Sequence, residues 1–191
     1  MKSVEIHIKN MVSTSCIKLL EMVFESIDVT VVQLKLGKAK IKFDPDLITL
    51  SDIDQKLLEN GFSIVKDQDE LLVENIKHLL VKLIKQLPER EAKPKLTDYL
   101  TKELSTNYSQ ISKTFSRTEG ITLERYFILL KIEKVKEWIE YGELSFKEIA
   151  FNLGYGTLQH LSSQFKKETG MSMSDYNELS KGQRRPIDKI L

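Results

Sequence analysis

Ser109, Gln110, Ser112 and Lys113 share one face of a helix whose other side would carry Ile111 and Phe115. Fifty residues on, Gln159, His160, Ser162 and Ser163 stand in the same relation to Leu161 and Phe165. Hydroxyl, amide, imidazole and ammonium groups on a rigid helix are donors and acceptors of the kind that read base edges in the DNA major groove. Asn107 and Tyr108 open the first stretch as candidate phosphate contacts, with Asn107 also suited to cap its helix. Arg117, Lys166 and Lys167 lie one turn beyond the polar sets, where their charges reach phosphates. A different chemistry is open to Cys16, the single cysteine, because a thiolate near a helix N-terminus is stabilised and is a soft-metal ligand. Packing as a small apolar side chain is as compatible with its position.

The polar stretches need elements that hold them outward. Leu96, Tyr99, Leu100 and Leu104 make an amphipathic helix that ends at Ser105-Thr106-Asn107. Leu144 to Leu153 is a second supporting helix, with Ile149, Ala150 and Leu153 inward and Gly154-Tyr155-Gly156 as its turn. A long helix from about Leu123 to Tyr141 joins the two pairs, and Met173 to Leu179 is a short last one. Each pair has the parts of a helix-turn-helix: a supporting helix, a tight turn, and a second helix with a polar outer face.

From about Leu96 to Tyr176 the chain resembles the DNA-binding domain of AraC/XylS-type transcription regulators. The matching residues are Ile111-Ser112-Lys113-Thr114-Phe115, Glu119-Gly120-Ile121-Thr122, Tyr126 and Leu130 to Lys134. They continue through Ser145 to Tyr155, Phe165 to Ser172, and Tyr176. Lys131 departs from the pattern's arginine, Met173 from its proline and Asn177 from its arginine. The resemblance implies recognition helices in successive major-groove segments, with a linker helix of about 27 Å between them. Double-stranded DNA is the implied partner, with RNA polymerase as a candidate protein partner.

The N-terminal third reads differently. Val4 to Lys9 alternates, Ile17 to Phe24 is helical, and Val29 to Leu36 and Ala39 to Phe43 alternate around Gly37. Leu50 to Leu58 is helical with Ser51 as its expected cap, and Phe62 to Val65 is a last strand. The order βαββαβ is ferredoxin-like. Val4 to Val65 resembles the heavy-metal-associated domain of copper chaperones, through Ile8-Lys9-Asn10-Met11 and Leu57 to Phe62. That family places Met-x-Cys-x-x-Cys after the first strand to grip Cu(I). Here Ser13 replaces the first cysteine, and a hydroxyl is a poor ligand for a soft ion. No cofactor is therefore expected; the weaker alternative is a soft metal shared by Cys16 of two chains, with Met11 or His7 assisting.

Leu71, Leu72, Ile76, Leu79, Leu80, Leu83 and Ile84 stripe one further helix, whose simplest reading is packing against its own domain. Its alternative is pairing with a second copy, so a homodimer through the N-terminal domain or residues 68–87 is a candidate assembly. The expected fold class is α+β: a ferredoxin-like domain at 1–67, a helix and linker at 68–94, an all-α double helix-turn-helix domain at 95–180, and a tail at 181–191.

At 191 residues, 41% hydrophobic and 30% charged, the chain has the makeup of a globular protein. No run nears the ~20 apolar residues that span a bilayer, and no secretory leader pattern opens it, so a cytoplasmic protein with no membrane partner is expected, and the resemblance to AraC/XylS-type regulators implies a bacterial one. From Lys93 onward 16 Lys and Arg face 13 Asp and Glu, and the preceding part carries 13 against 15. Phosphate-binding glycine loops, nucleophile elbows and His-Glu-x-x-His are absent, so no enzyme is expected. The alternative function is a metal-handling or protein-interaction module whose helical half no longer binds DNA specifically.

Overall fold

A computed structural model describes residues 1–11, 13–89 and 92–179. Val12, Arg90 and Glu91 of the expected linker, Ser180, and the expected tail at 181–191 lie outside the described residues. The chain divides into two compact units, Met1–His78 and Leu79–Leu191.

The N-terminal unit is built from β1 (Lys2–Lys9), α1 (Thr14–Glu25), β2 (Thr30–Lys35), β3 (Lys38–Phe43), α2 (Leu50–Glu59) and β4 (Ser63–Ile64). Its sheet has the order β2-β3-β1-β4, and every neighbouring pair is antiparallel. Strand alternation sends Ile6, Ile8, Ala39, Ile41 and Phe43 to one face. There they join Leu20, Val23 and Phe24 of α1 and Ile53 and Leu57 of α2 in a single core. The β2–β3 turn needs glycine at Gly37: its φ is +77°, and a Cβ there would stand 2.6 Å from the His78 ring. His78 is in turn fixed by a 2.9 Å hydrogen bond between its Nε2 and the Met11 carbonyl.

The cap of helix α2 stands two residues before the expected one. Thr49, not Ser51, accepts the Asp52 N–H, and Asp52 returns the bond to the Thr49 N–H, closing a capping box. Ser51 has the same spacing to Asp54, but Asp54 Oδ1 accepts the Ile64 N–H at 2.7 Å and is committed to β4. A tertiary bond thus decides between two equivalent local signals.

Helix α3 (Gln68–Gln86) crosses the boundary between the units. Its first half is tied to the N-terminal unit by Lys9–Glu70, 2.7 Å, and by the Asn10 N–H donated to buried Glu74 at 3.1 Å. Ile76, Leu80, Leu83 and Ile84 of the expected stripe are buried, together with Val73. Leu71, Leu72 and Leu79 are half-buried. Among the described residues no helix is long and apolar enough to cross a membrane.

After a 3-10 turn at Leu87–Glu89 the C-terminal unit continues with α4 (Leu96–Leu104), α5 (Tyr108–Glu119) and α6 (Leu123–Tyr141). It ends with α7 (Phe146–Asn152), α8 (Leu158–Thr169) and α9 (Met173–Glu178). Described residues of this unit form no strand.

Candidate nucleic-acid interface

Each candidate helix is started by a side-chain cap after a tight turn. Helix α4 ends where Ser105 takes the left-handed conformation, φ 50°, and Thr106 donates its hydroxyl to the Leu104 carbonyl at 3.0 Å. Asn107 then accepts the Gln110 N–H at 2.9 Å and starts α5. In the second pair a Ser145–Glu148 capping box starts α7, and the chain reverses through Gly154, φ +73°. Thr157, which the sequence reading did not single out, accepts the His160 N–H at 3.1 Å and starts α8.

Ile111, Thr114 and Phe115 anchor α5 from below, and Leu161 and Phe165 anchor α8. Ser109, Gln110, Lys113 and Arg117 are exposed in one stripe of α5. Gln159, His160, Ser163, Lys166 and Lys167 form the matching stripe on α8. Two expected base readers sit apart from these stripes. Ser112 is half-buried at the edge of the core, and half-buried Ser162 directs its hydroxyl to Met173 Sδ of α9 at 3.8 Å. Tyr108 is engaged elsewhere: its hydroxyl donates to Glu124 of α6. Burial first, then that carboxylate, raises the Tyr108 pKa well above a phenol's usual value. The single phenolic proton is thus given to Glu124 rather than held toward a phosphate.

Helix α6 holds the two pairs. Its 19 residues correspond to about 28 Å. Phe115 packs on Tyr126 with ring centroids 5.3 Å apart, fixing α5 to its N-terminal part. Arg125 pairs with Glu168 of α8, whose buried carboxylate also accepts Gln164 Nε2 at 2.8 Å. At the far end Tyr176 of α9 donates its hydroxyl to Glu140 at 2.8 Å.

Lys131 of α6 lies 4.8 Å from the Phe127 ring centre and 5.0 Å from that of Tyr155, in the α7–α8 turn. Tyr155 in turn meets the His160 ring edge-on at 5.3 Å. This chain of contacts connects the linker helix to the first turn of α8, and no local pattern announces it. Burial lowers the Lys131 pKa to about 8, with the two ring faces recovering part of the lost hydration. The unfolded chain, with an ordinary lysine near 10.5, holds a proton that the folded chain gives up between those values. Stability therefore rises with pH from about 8 to about 10.5. Lys131→Met is expected to abolish that rise in urea midpoints; parallel pH profiles for the two proteins would contradict the burial of this amine.

Cys16, the candidate soft-metal ligand, is half-buried in the first turn of α1. Ser13 Oγ is 3.6 Å from Cys16 Sγ, so a hydroxyl occupies the place of a second thiolate. Met11 is fully buried, and its sulfur accepts the Gly37 N–H at 3.2 Å. His7 belongs to β1 and lies opposite Lys38. No group of three or more His, Cys, Asp or Glu able to hold a metal occurs among the described residues.

Residues 100–178 match the family model described as a helix-turn-helix domain. Over 99 residues the chain is 24% identical to the HTH-type transcriptional activator RhaS of Salmonella schwarzengrund (strain CVM19633), covering 52% of this chain and 36% of that protein. It is 24% identical over 81 residues to RhaS of Escherichia coli O139:H28, covering 42% and 29%. The chain thus spans about a third of the length of these curated relatives. Among solved structures, the C-terminal domain of AraT, a response regulator from Geobacillus stearothermophilus, superposes with a TM-score of 0.50 at 20% identity. That match covers 63% of this chain and 95% of that one, and it supports the fold of the helical unit.

Proposed function

We propose that this chain, whose residues 100–178 match a helix-turn-helix domain, is a sequence-specific DNA-binding transcription regulator of the AraC type. One observation carries the reading: two exposed polar stripes, each on the second helix of such a pair, are held by a single helix of 19 residues. Its length of about 28 Å suits two major-groove segments one duplex turn, ~34 Å, apart. Ser109, Gln110 and Lys113 read one segment, and Gln159, His160 and Ser163 read the other. Arg117, Lys166 and Lys167 hold phosphates, assisted by the amide ends of α5 and α8. Ser112 and Ser162 flank the stripes and contribute less.

The protein acts by binding, not catalysis, in the bacterial cytoplasm, with RNA polymerase as the partner through which it affects transcription. The N-terminal unit is a ferredoxin-like module that works without a resident metal. Homodimerisation through that unit or through residues 68–87 would place two copies on one operator.

The test is duplex affinity against salt. The three phosphate contacts of the helical unit release counterions and contribute about −2.7 to the slope of log K against log salt. An affinity that does not change between 50 and 200 mM salt would overturn the DNA-binding reading.

A further inference from the structure

The core of the N-terminal unit uses one face of its sheet, and the other face is a lysine ladder. Lys38, Lys40 and Lys42 alternate with buried Ala39, Ile41 and Phe43 along β3, so all three project to the same exposed side. The register places Lys35 directly opposite Lys38, Gln33 and Glu5 beside Lys40, and Thr30 and Ser3 beside Lys42. Around β3 four lysines thus stand with one acid of the sheet, Glu5, which pairs with Lys38 at 2.8 Å; Lys9, on the same face of β1, pairs with Glu70 of α3. Lys35, Lys40 and Lys42 have no ion-pair partner among the described residues. Among the unit's other acids, Glu21 and Glu25 lie on α1, and Asp52, Asp54 and Glu59 on α2, the helices that cover the core face.

Structural need does not explain this arrangement. Lysine is a poor strand former, and like charges directly opposite one another, as Lys35 and Lys38 are, destabilise a sheet. Lysines often guard edge strands against aggregation, but β3 is an interior strand, between β2 and β1. The Glu5 carboxyl is held below its usual range, first by its bond to Lys38 and then by the charges of Lys38 and Lys40. Alternate residues of a strand stand about 6.8 Å apart. The ladder is therefore a regular row of cations flanked by the neutral donors Thr30, Gln33 and Ser3. A regular polyanion complements it, and duplex DNA carries one charge per ~1.7 Å of its axis.

We infer that the exposed face of the N-terminal sheet, centred on Lys38, Lys40 and Lys42, is a second, sequence-independent DNA-binding surface that grips the phosphate backbone. The inference rests on the proposed DNA-binding role, which supplies the polyanion to the same chain. Tethered to a helix-turn-helix domain, such a surface raises overall affinity through effective concentration without adding base contacts.

The experiment uses the full chain and a random-sequence duplex, with affinity measured by fluorescence anisotropy between 50 and 200 mM salt. Lys40→Gln/Lys42→Gln is compared with Lys18→Gln/Lys56→Gln, which removes the same charge from the two helices. The sheet pair should flatten the slope by about 1.8 and weaken binding about tenfold at the lowest salt, while the helix pair leaves the slope unchanged. Equal slopes for both variants would overturn the inference. An unchanged slope together with loss of a dimer in sedimentation would also overturn it, assigning the face to the acidic side of a second copy. Should the double variant fail to fold, Lys42→Gln alone is read, with an expected change of about 0.9. Random DNA keeps the two readings separable. A sheet-dependent slope with no enriched sequence in selection would sink the regulator reading alone; an enriched sequence with equal slopes would sink this one alone.

Discussion

Phe165→Ala lowers the stability of the helical unit by about 3–5 kcal/mol, the cost of emptying a fully packed aromatic site. Phe165 is fully buried on the inner side of α8, and its ring meets Tyr176 edge-on with centroids 5.7 Å apart. Tyr176 in turn holds Glu140 of α6, so the cavity opens where α6, α8 and α9 converge. A domain's whole stability is typically about 5–15 kcal/mol, so the loss should appear as a large drop in urea midpoint. Phe151 supplies the internal contrast. It is 69% exposed on α7, with the Lys93 amine 5.5 Å above its ring. Phe151→Ala should cost at most about 1 kcal/mol, the value of an exposed cation–π contact. Equal midpoints for the two variants would contradict the packing described for α8.

Removing the outer groups of one recognition helix should erase one half of the operator and spare the other. Gln110→Ala/Lys113→Ala deletes two exposed groups of α5, and Gln159→Ala/Ser163→Ala deletes two of α8. None of the four has its side chain in the core, so urea midpoints should stay close to that of the parent protein. Each good base contact contributes about 1–3 kcal/mol of discrimination, so losing two should weaken specific binding by tens-fold or more. In a mutated-operator scan, the α5 variant should become indifferent to changes in one block and remain sensitive in the other. The α8 variant should show the reverse. Uniform weakening across both blocks would mean that these residues only touch backbone.

Much of this arrangement was legible from spacing. The 3.6-residue period sends Ile111, Phe115, Leu161 and Phe165 inward, and it sets the outer stripes on α5 and α8. Asn107 was legible as a cap because a short acceptor precedes an apolar run. What escaped depended on neighbours remote in the chain. Ser162 lies beside the inward face, and only the position of α9 turns its hydroxyl toward Met173. Tyr108 reads as a phosphate donor until Glu124, sixteen residues later, takes its proton. Thr49 and Ser51 offer the same capping signal until Asp54 is claimed by β4. The alternation of Lys38, Lys40 and Lys42 is visible in the sequence, but its oddity appears only once the strand order places β3 in the sheet interior.

Selection of bound duplexes from a random library by the purified chain asks whether α5 and α8 read sequence. Two short blocks about one duplex turn, roughly 10–10.5 base pairs, apart should be enriched. Their preferences should change one block at a time in the α5 and α8 variants. Failure to enrich any sequence, under salt low enough to permit binding, would contradict the claim that these two helices read DNA.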